Sequence, residues 1–305
     1  MTENRRGVVL GAGAYLLWGL FPLYWPLLEP ATSLEILAHR FVWSLVVVVG
    51  LIAVRRRLRG LRGVLRDRRR VGLLLVAAVV IALNWYAYIY GVNSGRVVET
   101  SLGYFINPLV TVLLGVVVLR ERLRALQWVA VGVAGLAVAV LTLDYGRPPW
   151  IALVLAASFG TYGLIKKTTA VGPAEGLAVE SGALVVPALG YLIWLETTGD
   201  AVFGHAGLGN ALLLVIAGVV TSVPLLLFAG AARRVPLVTL GLLQYLAPTL
   251  QFLIGVLVLG EAMPAVRWIG FSLVWVGLAL FSADQIAAQR LRRREASSTP
   301  DAVPM

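Results

Sequence analysis

Cysteine is absent from this 305-residue chain and histidine occurs only twice. Without thiols, disulfides, thiolate metal sites and cysteine nucleophiles are all excluded. There is no H-E-x-x-H, no G-x-S-x-G and no phosphate-binding P-loop, so the common hydrolase and nucleotidase chemistries have no residues to stand on. Charge is the second scarcity. Charged residues make up 13% of the chain, about half of what a soluble domain needs to cover its surface. No enzyme is expected, and no catalytic residue, metal or cofactor.

What fills the space is apolar. Hydrophobic residues reach 59%, with 32 glycines. Ten apolar runs recur, near 7–27, 33–54, 71–92, 97–119, 125–143, 149–165, 174–195, 209–230, 236–259 and 265–283. Most are long enough to cross a hydrocarbon core about 30 Å thick at about 1.5 Å per residue. The reading is an all-α polytopic membrane protein with ten transmembrane helices. The first run is too long for a signal peptide's apolar region. It lacks a small-residue cleavage site and contains Trp18, Tyr24 and Trp25, so it reads as a retained span.

The net charge of +11 suggests nucleic acid until its placement is read. With the N-terminus inside, 22 of the 26 Lys and Arg fall on one side, nine of them arginines between Arg55 and Arg70. Only Arg96, Arg147 and Arg267 fall opposite, and Arg40 lies inside a span. The positive-inside rule therefore puts both termini in the cytoplasm. The basic face meets anionic lipid headgroups and no nucleic acid.

The chain repeats itself. Ser101-Leu-Gly-Tyr-Phe-Ile-Asn-Pro108 returns as Thr239-Leu-Gly-Leu-Leu-Gln-Tyr-Leu-Ala-Pro248, with two extra residues. An offset of 140 pairs Gly115 with Gly255, Leu119 with Leu259, Glu121 with Glu261, Trp128 with Trp268 and Asp144 with Asp284. The organisation expected is a first five-helix repeat over 1–146, a second over 147–285, and a disordered cytoplasmic tail over 286–305. Five spans is an odd number, so the second copy must be inverted. Inverted repeats with matched helix breaks point to a carrier with a site near the membrane midplane; the matched breaks read here are Pro108 and Pro248.

Polar residues inside the spans mark the candidate site. Glu35, His39 and Arg40 open the second span, where charge costs several kcal/mol unless a partner or water receives it. Tyr15 and Trp18 share a face of span one with Gly11; Trp25 reads as an interfacial belt residue. Asn84 and Tyr88 share a face of span three. Gly103, Asn107, Thr111 and Gly115 form a small polar ridge on span four, readable equally as a helix-packing surface. In the second half stand Tyr162, Glu180, and the face of Gln244, Pro248, Gln251 and Gly255. The cavity-lining set is Tyr15, Trp18, His39, Arg40, Asn84, Tyr88, Asn107, Thr111, Tyr162, Gln244 and Gln251. The titratable groups Glu35, His39 and Glu99 are the ion-coupling candidates.

The stretches Leu34-Glu-Ile-Leu-Ala-His-Arg40, Asn84 to Val98, Ser101 to Pro108 and Gly241-Leu-Leu-Gln-Tyr-Leu-Ala-Pro248 with Thr249-Leu-Gln251 closely resemble the RarD-type branch of the EamA transporters. These belong to the drug/metabolite transporter superfamily. The resemblance covers roughly residues 5 to 285. It implies ten helices as two inverted five-helix repeats, with spans 1–4 and 6–9 around a central cavity and 5 and 10 peripheral. It carries over the fold, not the substrate. The function expected is a secondary transporter, a permease exporting a small organic metabolite or drug by alternating access. The alternatives are a passive facilitator and a non-transporting membrane scaffold. The partners expected are a small-molecule substrate and the bilayer, with a homodimer left open.

Overall fold

The computed structural model describes residues 3–55, 58–120, 122–169 and 171–298, and shows helices and no strand among them. In order these are α1 (Glu3–Gly19), α2 (Phe21–Tyr24), a 3-10 turn (Trp25–Leu28), α3 (Ser33–Val54), α4 (Leu58–Arg66), α5 (Arg68–Asn93), α6 (Val97–Leu119) and α7 (Ala125–Tyr145). There follow α8 (Trp150–Thr169), α9 (Pro173–Thr198), α10 (Leu208–Ala232), α11 (Leu237–Leu243), α12 (Leu246–Leu253), a π turn (Ile254–Val258) and α13 (Ala265–Ser298). Eight spans among the described residues are long and apolar enough to cross a membrane, and the bent pair Glu3–Gly19 with Phe21–Leu28 makes a ninth. The apolar helix Trp150–Lys166 is shorter. Large apolar side chains such as Val79, Leu143, Ile193 and Leu257 stand exposed on the outside. On a soluble protein that surface would aggregate; here it is what lipid meets. The chain is an all-α multi-pass membrane protein.

Local chemistry sets the boundaries. Thr32 caps α3 by accepting the Glu35 backbone N–H at 3.2 Å, and Asp67 caps α5 through Arg70 N–H at 3.1 Å. Helix α1 stops at Gly19 and the chain bends by 41° into α2. Pro22 explains this, because it has no N–H to give the Trp18 carbonyl four residues earlier.

The chain divides into two compact units. The first gathers Met1–Leu114 with Trp150–Ala262, and the second Gly115–Pro149 with Met263–Met305. In the first unit α3 packs on α9 and α10, α5 on α8, and α1 on α10. Gly218 of α10 lies directly against the Trp43 backbone of α3, and no side chain would fit there. The largest core sits at the end opposite the arginine-rich segment, around Phe21, Trp25, Leu28, Ile36, Phe41, Ile89, Ile151 and Leu214. In the second unit α7 and α13 pair along alanines and glycines: Gly270 sits against Leu141 and Gly277 against Ala130. Arg124 pairs with Asp284, and Arg267 with Asp144 at 2.8 Å. The two aspartates matched across the repeat thus do the same work, each holding an arginine of the other helix.

Three expectations change. Helix α6 runs unbroken through Pro108, while the second copy is interrupted at Gln244–Tyr245, just before Pro248; the two prolines are not matched breaks. The sharpest bend lies instead at Leu20. Trp25, read as a belt residue, is fully buried. The chain after 285 is helical as far as Ser298, and the rest of the tail, 299–305, lies outside the described residues. Glu121 lies outside the described residues.

Candidate functional site

Arg40 lies about 10 Å along α3 from its start at the helical rise, too deep to reach the surface, and is 2% exposed. Its guanidinium is sandwiched between two indoles, 4.6 Å from the Trp25 ring and 4.1 Å from the Trp85 ring. Trp25 reaches it because of the bend after α1; Trp85 comes from α5 and stacks on Phe41 at 5.4 Å. From α10, the Thr221 hydroxyl donates to the Ala217 carbonyl at 2.7 Å and accepts from Arg40 Nε at 3.0 Å. The phenols of Tyr104, Tyr88 and Tyr24 are close enough to interact with the cation electrostatically. Among the described residues no carboxylate stands within ion-pair distance of Arg40. Two buried donors of this cluster, Trp25 Nε1 and the Tyr88 hydroxyl, have no hydrogen-bond partner.

Around this centre the other polar groups are tied. Asn84 donates to the Leu155 carbonyl at 3.0 Å and to Ser158 Oγ at 2.9 Å, and accepts from the Tyr104 hydroxyl at 3.4 Å, joining α5, α8 and α6. Rings continue from Tyr88 to Tyr104, Phe159 and Tyr162 at 5.6, 6.1 and 6.3 Å between centres. Tyr162 donates to Glu180 at 3.1 Å, and Lys166 bonds the other oxygen at 2.7 Å. A second ring group joins Tyr15 and Trp18 to Phe228 at 5.9 Å each. Gln251 donates to the Trp18 carbonyl at 3.1 Å, the acceptor that Pro22 leaves free.

The structure therefore gathers Arg40, Asn84 and Tyr88 into one cluster, with Tyr162 at the end of its ring series. Asn107 and Thr111 stand apart, 3.5 Å from each other. Their ridge is a packing surface: a Cβ on Gly103 would lie 2.8 Å from the Ala152 carbonyl, and one on Gly160 would lie 3.1 Å from Thr111 Oγ1. Gln244 is half-buried in the break between α11 and α12. His39 faces away from the arginine, its Nδ1 accepting from Trp43 Nε1 at 3.3 Å and its ring 4.7 Å from Phe203. Reading the residues alone missed Trp25, Trp85, Tyr104 and Thr221 as partners of Arg40. The available signal was the arginine itself, which demanded acceptors or π-faces somewhere in the chain.

Three carboxylates at the end opposite the arginine-rich segment act as caps. Glu35 accepts from Val202 and Phe203 N–H at 2.9 and 3.2 Å, Glu99 from Ile151 N–H at 3.1 Å, and Glu261 from Val97 and Val98 N–H at 2.5 and 3.0 Å. Glu99 and Glu261 thereby sit at the positive starts of α8 and α6. Tyr24 to Leu213 O at 2.6 Å and Asn210 to Leu28 O at 3.0 Å close the same end further. The other end of this unit holds a cavity of about 470 Å³, reaching from exposed Arg55, Arg70 and Arg233 inward to Ile52 and Val223.

Comparisons agree with this architecture. The profile of the EamA-like transporter family matches residues 5–143. A Streptomyces exfoliatus protein named RarD is 55% identical over 98% of this chain and 95% of its own. An uncharacterized transporter of Vibrio cholerae is 43% identical over 96% of this chain and 97% of its own. A solved crystal structure, 20% identical, superposes with a TM-score of 0.60 over 93% of this chain and 98% of that one; it speaks to fold alone. The depth and coverage of these relationships establish that the chain belongs to the EamA-like transporter family, among its RarD-type members.

Proposed function

We propose that this chain is a secondary transporter that exports a small organic solute across the bacterial inner membrane by alternating access, its arginine-rich end and both termini in the cytoplasm. The unequal closure of the two ends of the first unit supports this reading. One end is a packed core held by Glu35, Glu99 and Glu261, whereas the other opens into the cavity beneath Arg55, Arg70 and Arg233. The buried polar cluster belongs to the same unit. A site reachable from one end at a time is what alternating access requires, and a scaffold would need only packing surfaces. The arrangement corresponds to a cytoplasm-facing state. The repeat, with units near 1–146 and 147–285, would supply the second state by exchanging the conformations of its halves.

The test is flux. Purified protein is reconstituted into liposomes loaded with a bacterial cytosolic metabolite extract, and the released solutes are identified by mass spectrometry. Selective release of one chemical class, accelerated by a counter-gradient, is expected. Release that matches protein-free liposomes, from protein shown to be folded, would leave the scaffold reading. Release that saturates but never couples to a gradient would leave the facilitator.

A further inference from the structure

We propose that the solute is an organic carboxylate with an apolar or aromatic body, and that its carboxylate docks on Arg40 with Trp25 Nε1 and the Tyr88 hydroxyl as further donors; this rests on the carrier reading and names its substrate class. The argument starts from how the chain treats its other cations. Lys166 is half-buried against Glu180, and Arg124 and Arg267 each hold an aspartate. Arg40 is more deeply buried than any of these and has no acid among the described residues. Cation–π contact with two indoles offsets part of the cost of burying it, but supplies no hydrogen-bond acceptor. The N–H edges remain for in-plane acceptors, and Thr221 takes only Nε. A planar carboxylate matches such an edge in two parallel bonds.

The two unpartnered groups beside it point the same way. Trp25 is wholly buried and Tyr88 is 3% exposed, yet neither the indole N–H nor the phenol has a partner. Buried donors without acceptors are costly and uncommon in a finished core. A buried positive charge without an acid is what an oxyanion would satisfy, whereas a neutral solute leaves the charge unpaired and a cation is repelled. The half-buried Tyr104 and exposed Phe159 offer an aromatic wall for the remainder of the solute. The cavity mouth carries Arg55, Arg70 and Arg233 against one acid, Glu175, a field that concentrates anions.

The experiment uses purified full-length protein in lipid nanodiscs and three probes, phenylacetate, benzoate and indole-3-acetate, each beside its uncharged amide, with sodium chloride as the inorganic-anion control. At least one acid should raise the unfolding temperature in a saturable way, and its amide and chloride should not. Arg40→Gln should weaken that acid by about tenfold or more, and Arg40→Lys by less. Tyr88→Phe keeps the ring and removes an unpaired donor. It should weaken the acid about three- to tenfold without lowering the unfolding temperature of the ligand-free protein. A structural role for that donor predicts the opposite, so this variant decides the matter if Arg40→Gln does not fold. Equal response to acid and amide, no response to any of the three acids, or unchanged binding in Arg40→Gln would overturn the proposal. Flux separates it from the reading it rests on. An acid that binds through Arg40 but never crosses liposomes removes the carrier and keeps the site; neutral solutes carried equally by wild type and Arg40→Gln keep the carrier and remove the site.

Discussion

At the scale of single residues, this protein spends its few polar side chains on backbone and charge left over by the helices. Gln251 is the clearest case. Pro22 frees the Trp18 carbonyl inside the membrane, where no water replaces the lost N–H, and Gln251 supplies the donor from α12. Gln251→Leu should therefore cost about 1–3 kcal/mol, measured by denaturant titration in micelles; a cost within error of zero would mean the bond contributes nothing. Glu180 makes a second case, 2% exposed and bonded to both Tyr162 and Lys166. Glu180→Leu should cost about 3–5 kcal/mol by stranding the Lys166 charge, and Lys166→Met added to it should recover most of that. Equal stability of the single and double variants would show that the lysine simply extends into water. Neither partner could be named from sequence spacing. A polar residue in an apolar run announces that it has a partner, and only packing says which.

Helices show how far local signals reach. The caps at Thr32 and Asp67 and the stop at Pro22 are properties of a few adjacent residues, so the boundaries fall close to where the apolar runs end. Pro108 shows the limit: a proline licenses a break and does not compel one, and α6 continues through it while packing closely on α8 at Gly103 and Gly160. Glycines divide the same way. Gly218 is in backbone contact with Trp43, whereas Gly132 has open space where a Cβ would go. Gly218→Ala should push α3 from α10 and cost about 1–3 kcal/mol by overpacking. Gly132→Ala should be neutral or stabilise by up to about 1 kcal/mol. Thermal unfolding of the two variants side by side checks this, and equal effects would contradict the α3–α10 contact.

For the whole molecule the question is which end opens. Glu35 and Glu261 bind backbone N–H groups of distant segments only in the closed arrangement of the end opposite the arginines. Glu35→Gln and Glu261→Gln should weaken these caps by about 1–3 kcal/mol, enough to raise the open population by about 5- to 100-fold. The native chain has no cysteine, so one thiol at a time reports without background. Ala217→Cys, fully buried in that core, should resist an impermeant maleimide added on the side opposite the arginines and gain reactivity when either glutamate is replaced. Leu226→Cys, lining the cavity, should react from the arginine-rich side and lose reactivity in the same backgrounds. Labelling of both positions that ignores the glutamates would mean that these carboxylates staple a static wall.

The sequence by itself settled what depends on sums over neighbours: the membrane class and the approximate span limits from runs of apolar residues, and a family from strings such as Leu34 to Arg40. It also showed that Arg40 was an unusual charge, because burying a cation is costly wherever it happens. The tertiary structure alone decided how that cost is met. Thr221 lies 181 residues from Arg40, and Trp25 reaches the guanidinium only because the chain bends after Gly19. No local pattern encodes such a meeting, since it depends on the rotation and depth of several helices at once. The same reason sent Glu35, His39 and Arg40, neighbours on one helix, to three separate sets of partners.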